Sequence, residues 1–282
     1  MRVGVGLPNT LEGVDRRLML EWARRADAGP FSSLGVLDRI AYQSVDPFAA
    51  LTTAAAVTTR IGLVTMVAIG PLRAPALLAK QAASLDEISG GRLTLGLAVG
   101  ARAEDYGALG IDPSGRGEVL TRQLLALLDH WEERTHVPHA ASGAKEGPRL
   151  LVGGLSGEAF ARMARYADGY VHGGGPPRAF ASAAARAHAA WQDFGRPGRP
   201  ALWGQGYFGL GSDAAEEGAR YLRDYYAFTG PFADKIAAAN LTTPQAVVDF
   251  VRGYEEAGCD ELVLLPTVGR LDQLDLLAEV LA

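Results

Sequence analysis

Cysteine is nearly absent: Cys259 is the only one in 282 residues, so the chain cannot close a disulfide on itself and a reducing compartment is the expected setting. Aromatic residues are sparse at 8%, and neither sign of charge dominates, with 27 Lys and Arg against 32 Asp and Glu for a formal net charge of -5. Spread along the chain in this way, the cations form no basic stripe, which argues against a nucleic-acid partner. Long apolar runs are missing as well. The segment IGLVTMVAIG (61–70) falls well short of the roughly 20 residues that a bilayer span needs, so no membrane partner is expected. The start, MRVGVGLPN, lacks the charged and then apolar regions of a secretory leader, and the cytoplasm is the expected location. There is no G-x-x-x-x-G-K-[ST] phosphate loop, and the nearest approach to a G-x-S-x-G elbow, GGLSGEA at 153–159, does not complete it. The five histidines, His130, His136, His139, His172 and His188, show no zinc-like spacing supported by Cys or acids. His136 and His139 are three apart but lie in a Pro-containing loop, so a metal-free site is expected.

What is present is an aliphatic core, with 48% hydrophobic residues, and a regular alternation of strand-like and helix-like segments. Strands are expected at 2–7, 33–37, 61–67, 93–97, 149–152, 169–172, 202–209 and 260–265. Helical patterns lie near 14–28, 47–58, 75–88, 117–132, 157–166, 178–194, 213–227, 244–257 and 270–281. Asp46 before Pro47, Thr243 before Pro244, and Ser212 with Asp213 read as helix starts. Strands buried on both faces read as continuous apolar runs, as IGLVTMVAIG and ELVLLP do. The expected class is α/β, a (β/α)8 barrel forming one domain over 1–282, with an open doubly wound sheet as the runner-up. Stretches 136–148 and 228–242 read as loops, the second with a short helix near DKIAAAN over the mouth.

Three segments carry chemistry. Gly153-Gly154-Leu155-Ser156-Gly157 leads from the fifth strand into a helix, where backbone N–H groups and a hydroxyl make an anion site; a plain turn with Ser156 as N-cap is the competing reading. Gly173-Gly174-Gly175 after the sixth strand permits close approach of backbone to a ligand, or is only a flexible loop. Asp38-Arg39 ends the second strand at the rim where barrel enzymes place reactive side chains, against a simple ion pair between the two. Tyr42, Glu104, Asp105, Tyr106 and His172 are further donors and acids near the same rim.

The stretch 46–100, with the Leu72-Arg73-Ala74-Pro75 turn, the helix AKQAASLDEIS and GGRLTLGLAVG, resembles the luciferase-like family of flavin and deazaflavin oxidoreductases. Segments 150–170 and 243–266 resemble the same family, so the likeness spans most of the chain. It implies a (β/α)8 barrel that moves hydride between a flavin-type ring and an organic substrate, or activates oxygen on reduced flavin. In related deazaflavin dehydrogenases an acid at the place of Asp38 touches the ring and a histidine follows, where this chain has Arg39. VGARAEDYGALGID resembles a bacterial luciferase segment, with Tyr106, Gly110 and Asp112 at its aromatic, glycine and acid. Val99 stands where luciferase has a phosphate-binding arginine, and Ala101 where sugar-phosphate dehydrogenases have a catalytic glutamate. Thr65, Met66 and Val67 fall where the family holds a bulge with a non-proline cis peptide behind the ring, core filling being the bland alternative. The catalytic candidates are thus Asp38, Arg39, Glu104 and Tyr106. The cofactor candidates are Asp38, Thr65, Met66, Val67, Val99, Gly100, Ala101, Gly153, Gly154, Leu155, Ser156, Gly173, Gly174 and Gly175. The expected cofactor is F420, because Val99 replaces the arginine. The alternatives are FMN-dependent monooxygenation, which needs a partner flavin reductase, and a non-catalytic flavin-binding barrel. The substrate is expected to be a small molecule, and a homodimer is left open.

Overall fold

The computed structural model describes residues 1–132 and 147–282; His136 and His139 lie outside them. Its strands are β1 (Arg2–Gly6), β2 (Ser33–Val36), β3 (Gly62–Thr65), β4 (Ala68–Ile69), β5 (Leu93–Ala98), β6 (Arg149–Gly153), β7 (Gly169–Val171), β8 (Ala201–Phe208) and β9 (Glu261–Pro266). All pairings are parallel, in the order β3-β2-β1-β9-β8-β7-β6-β5-β4, and a β3–β5 pairing closes the circle. Because β3 and β4 are two halves of one interrupted wall, this is the eight-stranded barrel expected, not the open sheet.

The interruption falls at Met66-Val67, whose peptide bond is cis, where the bulge was expected. Below it β3 pairs with β5 up to Val64↔Thr94, and above it β4 resumes at Ala68↔Leu97. Thr65 spans the gap: its Oγ1 donates to the Gly96 carbonyl at 2.7 Å and accepts from the Gly96 N–H at 2.9 Å. A hydroxyl therefore replaces missing ladder bonds that burial makes costly to leave open. Gly96 is needed there, since a Cβ would lie 2.3 Å from the Thr65 carbonyl oxygen.

The helices are α1 (Arg16–Ala28), α2 (Pro47–Ala55), α3 (Pro75–Ser89), α4 (Ala103–Ala108), α5 (Arg116–Glu132), α6 (Gly157–Tyr166), α7 (Pro177–Asp193), α8 (Ala214–Tyr225), α9 (Phe232–Ala238), α10 (Pro244–Glu256) and α11 (Asp272–Leu281). Those numbered 1, 2, 3, 5, 6, 7, 10 and 11 pack side by side around the barrel. Asp46 caps α2 by accepting from the N–H groups of Phe48 and Ala49, and Thr243 caps α10 through Ala246, as expected. Asp213 opens α8 without a capping bond. Its helical backbone, φ -102° and ψ -6°, departs from the extended conformation a cap adopts.

One apolar layer lies between strands and helices, with Trp22, Phe31, Leu34, Leu51, Phe180 and Tyr254 fully buried. A second fills the barrel with Leu37, Val64, Met66, Leu151, Val171, Trp203, Val263 and Leu265, and Tyr225 from the end of α8 packs onto it. Each fully buried side chain of this size contributes about 1.5–3 kcal/mol. Helix α10 lies between α7 and α11, the place of the seventh helix that the resemblance gives to 243–257, while the pattern at 213–227 reads as a helix with no place assigned. Helix α8 reaches over the mouth, with α9, the expected short helix, packed on it. The short α4 beyond β5 lies in a segment that reads from the sequence as a loop.

Candidate functional site at the barrel mouth

Asp38 and Arg39 leave the end of β2 in different directions and do not pair with each other. The Asp38 carboxylate, fully buried, accepts from the Ile69 N–H at 2.8 Å and from both terminal nitrogens of Arg73, that of Nη2 at 2.9 Å. Arg39, also buried, donates Nε to Asp105 and Nη2 to Glu104, each at 2.9 Å. Asp105 in turn accepts from the N–H groups of Ile40 and Ala41. Both rim residues are therefore clamps: Asp38 ties β2 to the end of β4 and to Arg73 beyond it, and Arg39 ties it to α4. Of the four catalytic candidates Glu104 alone is exposed.

Tyr106 is a correction. It is buried against Ile69 and Leu72, and its hydroxyl donates to the Val99 carbonyl at 2.6 Å, so it supports the loop after β5 from behind. Thr65 is likewise spent on strand pairing, and Met66 is buried in the barrel core. Among the bulge residues, Val67 is the one that is only partly buried. Val99 and Gly100 are partly buried and Ala101 is exposed.

The 153–157 turn opens onto a groove of about 690 Å³ between the start of α5 and the start of α6, lined by Val99, Gly153, Gly154, Leu155, Ser156, Arg116, Arg162 and Arg165. Two helix N-termini and three guanidinium groups border one space, an arrangement that favours an anion. Burial pulls Arg162 below the ordinary guanidinium range, with Glu158 and Tyr166 opposing. Its Nε bonds Thr121 at 2.9 Å, and among the described residues no carboxylate lies within salt-bridge distance of it. The exposed carboxylate of Glu158 also borders the groove, held below its ordinary range by hydrogen bonds from its own N–H and from Ser156.

Ser156 is an N-cap, accepting from the Ala159 N–H at 3.2 Å, as one of its two readings had it. Ser156→Ala is therefore expected to lower stability by about 1 kcal/mol, measurable by thermal unfolding. A loss of affinity for a phosphate-bearing cofactor on the same variant shows that the hydroxyl serves both. Gly154 has φ +131°, and a Cβ on it would lie 2.7 Å from the Ala159 Cβ; any side chain here strains the backbone whatever the ligand.

The Gly173–Gly175 run is fixed by its neighbours. Gln205 Nε2 donates to the Gly173 carbonyl at 3.1 Å and Tyr254 Oη to the Gly175 carbonyl at 2.9 Å. Below it His172 is buried against Tyr170 and Phe180, its Nε2 has no hydrogen-bond partner among the described residues, and burial pulls its ring below the ordinary histidine range.

The opposite part of the mouth is aromatic. Tyr221, Tyr225 and Tyr226 arrive from α8 and its end to meet Tyr42 and Tyr207. Tyr42 donates to Asp224 at 2.6 Å, Tyr221 shares a hydrogen bond with Thr10 at 2.7 Å, and Tyr207 with Tyr226 at 2.8 Å. Arg102, from the loop after β5, lies over Tyr225 at 4.4 Å and Phe228 at 4.5 Å and donates Nη2 to the Tyr225 carbonyl. Burial raises the phenols of Tyr207, Tyr221 and Tyr225 above their ordinary range, so at neutral pH they are donors and not bases. The sequence reading missed this wall; its one local signal is the density of aromatics in YLRDYYAF (221–228).

Among the described residues, no group of His, Cys, Asp or Glu could hold a metal ion, and no helix is long and apolar enough to cross a membrane. An uncharacterized protein of Mycobacterium tuberculosis is 32% identical over 187 residues, 55% of this chain and 65% of that protein. Pyrimidine monooxygenase RutA of Escherichia coli is 33% identical over 171 residues, 54% of this chain and 47% of that protein. The chain thus spans less than two thirds of the curated relatives it matches. A solved F420-dependent secondary alcohol dehydrogenase, in complex with an F420-acetone adduct, superposes with a TM-score of 0.80 at 16% identity, covering 99% of this chain and 97% of that one. That likeness is one of fold. With residues 1–246 matching the model of the luciferase-like monooxygenase family, and with the barrel and its interrupted third wall in place, the chain belongs to that family.

Proposed function

We propose that this chain is an oxidoreductase that holds coenzyme F420 at the mouth of its barrel and passes hydride between it and a small organic substrate. The observation that carries the reading is the groove beside the 153–157 turn, where two helix N-termini and Arg116, Arg162 and Arg165 border one space. Val99 offers no cation there, but these three arginines do. The residues present fit a phosphate-bearing cofactor: Gly153, Gly154, Leu155 and Ser156 present backbone to the phosphate, Val67 backs the ring, and Val99 to Ala101 with Gly173 to Gly175 border it. When bound, the deazaflavin ring supplies the hydride donor or acceptor, and the protein supplies position and polarity. Asp38 and Arg39 act by fixing the rim, and the aromatic wall keeps water from the side facing α8. Glu104, exposed beside Arg39, is the one catalytic candidate free to meet a substrate. We place this activity in a single domain in the cytoplasm, with no nucleic-acid or membrane partner.

FMN-dependent monooxygenation is the second reading, favoured by the relative named as a pyrimidine monooxygenase; it requires a flavin reductase as partner. Titration of F420 and of FMN, followed by fluorescence quenching, tests the choice. Tighter binding of F420 is expected. Binding of FMN with no measurable binding of F420 overturns the F420 reading.

A further inference from the structure

Four of the five tyrosine hydroxyls in the mouth are bonded within the protein: Tyr42 to Asp224, Tyr221 to Thr10, and Tyr207 and Tyr226 to each other. Tyr225 is the exception, with no hydrogen-bond partner for its hydroxyl among the described residues. Its ring is only 3% exposed and packs on the barrel interior. The hydroxyl is not among the fully buried atoms left without a partner, so it reaches accessible space at the mouth, where a phenylalanine would present no donor. The charge around it has a consistent sign. The Arg39 and Arg102 guanidiniums lie 5.3 and 4.4 Å from its ring centroid. Arg39 is matched by Asp105 and Glu104, but Arg102 forms no salt bridge among the described residues, and its Nε is buried without a partner. The nearby carboxylates of Asp38 and Asp105 are already held by Arg73 and Arg39. The side of the mouth under α8 therefore offers a free phenol donor and a cation, with no free buried acid beside them.

We propose that Tyr225 and Arg102 form the substrate-recognition pair of this site, donating hydrogen bonds to an electron-rich oxygen, a carbonyl or phenolate, on a planar organic substrate. The pair rests on the oxidoreductase reading: the anion groove near β6 takes the cofactor phosphate, which leaves the α8 side of the mouth to the substrate. Stacking against the tyrosines selects a flat molecule, and the cation disfavours amines.

The probe is 4-nitrophenolate, whose visible absorption band moves when its oxygen accepts a hydrogen bond. The wild-type protein is expected to bind it with a shifted band, and Tyr225→Phe to lose the shift and bind about 10-fold more weakly or worse, as for a hydrogen bond to a charged oxygen. Because the hydroxyl has no internal partner, the melting temperature of Tyr225→Phe should not fall. Benzylamine, a cation of similar size, should not compete. No binding of 4-nitrophenolate by the wild type, unchanged affinity and band in Tyr225→Phe, or equal binding of benzylamine each overturns the assignment. Titrating the same proteins with F420 and FMN separates the two levels: wild type that takes neither cofactor defeats the oxidoreductase reading, whatever the nitrophenolate result.

Discussion

Arg73→Met is expected to lower stability by about 3–5 kcal/mol, the usual cost of removing one partner of a buried ion pair and stranding the other. The stranded group is Asp38, whose side chain is fully buried and would keep only the Ile69 N–H of its present donors. For a chain of this size each kcal/mol corresponds to about 2–4 °C of melting temperature, so calorimetry should register a fall of the order of 10 °C. Pairing the change with Asp38→Asn should recover part of it, because the uncompensated charge is then gone. A fall below about 2 °C for Arg73→Met alone would show that the carboxylate finds another partner. The functional consequence follows from the geometry: Asp38 fixes the first residues after the Met66-Val67 interruption, so the bulge that backs the mouth depends on an arginine four residues beyond β4.

That arginine was legible in the sequence as part of the Leu72-Arg73-Ala74-Pro75 turn, but its partner was not. Short continuous apolar runs alternating with helical patterns located all eight barrel strands, since they depend on neighbours close in sequence. Proline after Asp46 and Thr243 located two helix starts for the same reason. Pairing across the mouth joins residues far apart in sequence: Arg39 with Asp105, Tyr42 with Asp224, Thr10 with Tyr221. No local pattern records such contacts. Asp38 and Arg39 stood out as adjacent opposite charges at a strand end, and the rim position was right, yet each is turned to a different partner. Tyr106 shows the converse error: an aromatic beside acids in a loop reads as a site residue, and only packing reveals that its hydroxyl is bonded to the Val99 carbonyl behind the loop. Helix α8 was missed as a cap because its strong amphipathic pattern suits a surrounding helix equally well; what distinguishes it is the Tyr225–Tyr226 end, which reaches the barrel interior.

Arg162 provides the sharpest test of the anion groove, because removing it should move stability and affinity in opposite directions. The side chain is buried at 8% exposure and makes one bond from Nε to Thr121. Burial disfavours its charged form, and a buried cation without a carboxylate against it is a cost that the fold carries. Arg162→Met keeps the length and the packing while removing the charge, so the ligand-free protein is expected to melt at an equal or higher temperature. Affinity for a phosphate-bearing cofactor should fall about 10-fold or more, the loss of a hydrogen bond between charged groups being about 1.5–3 kcal/mol. Inorganic phosphate serves as a second readout: it should raise the melting temperature of the wild type as a ligand of the folded state, and do so less for Arg162→Met. Such opposition is common where a site is kept at the expense of stability. Arg162→Met that melts lower than wild type and binds cofactor unchanged would make this guanidinium a bridge between α5 and α6, and would leave Arg116 and Arg165 as the cations of the groove.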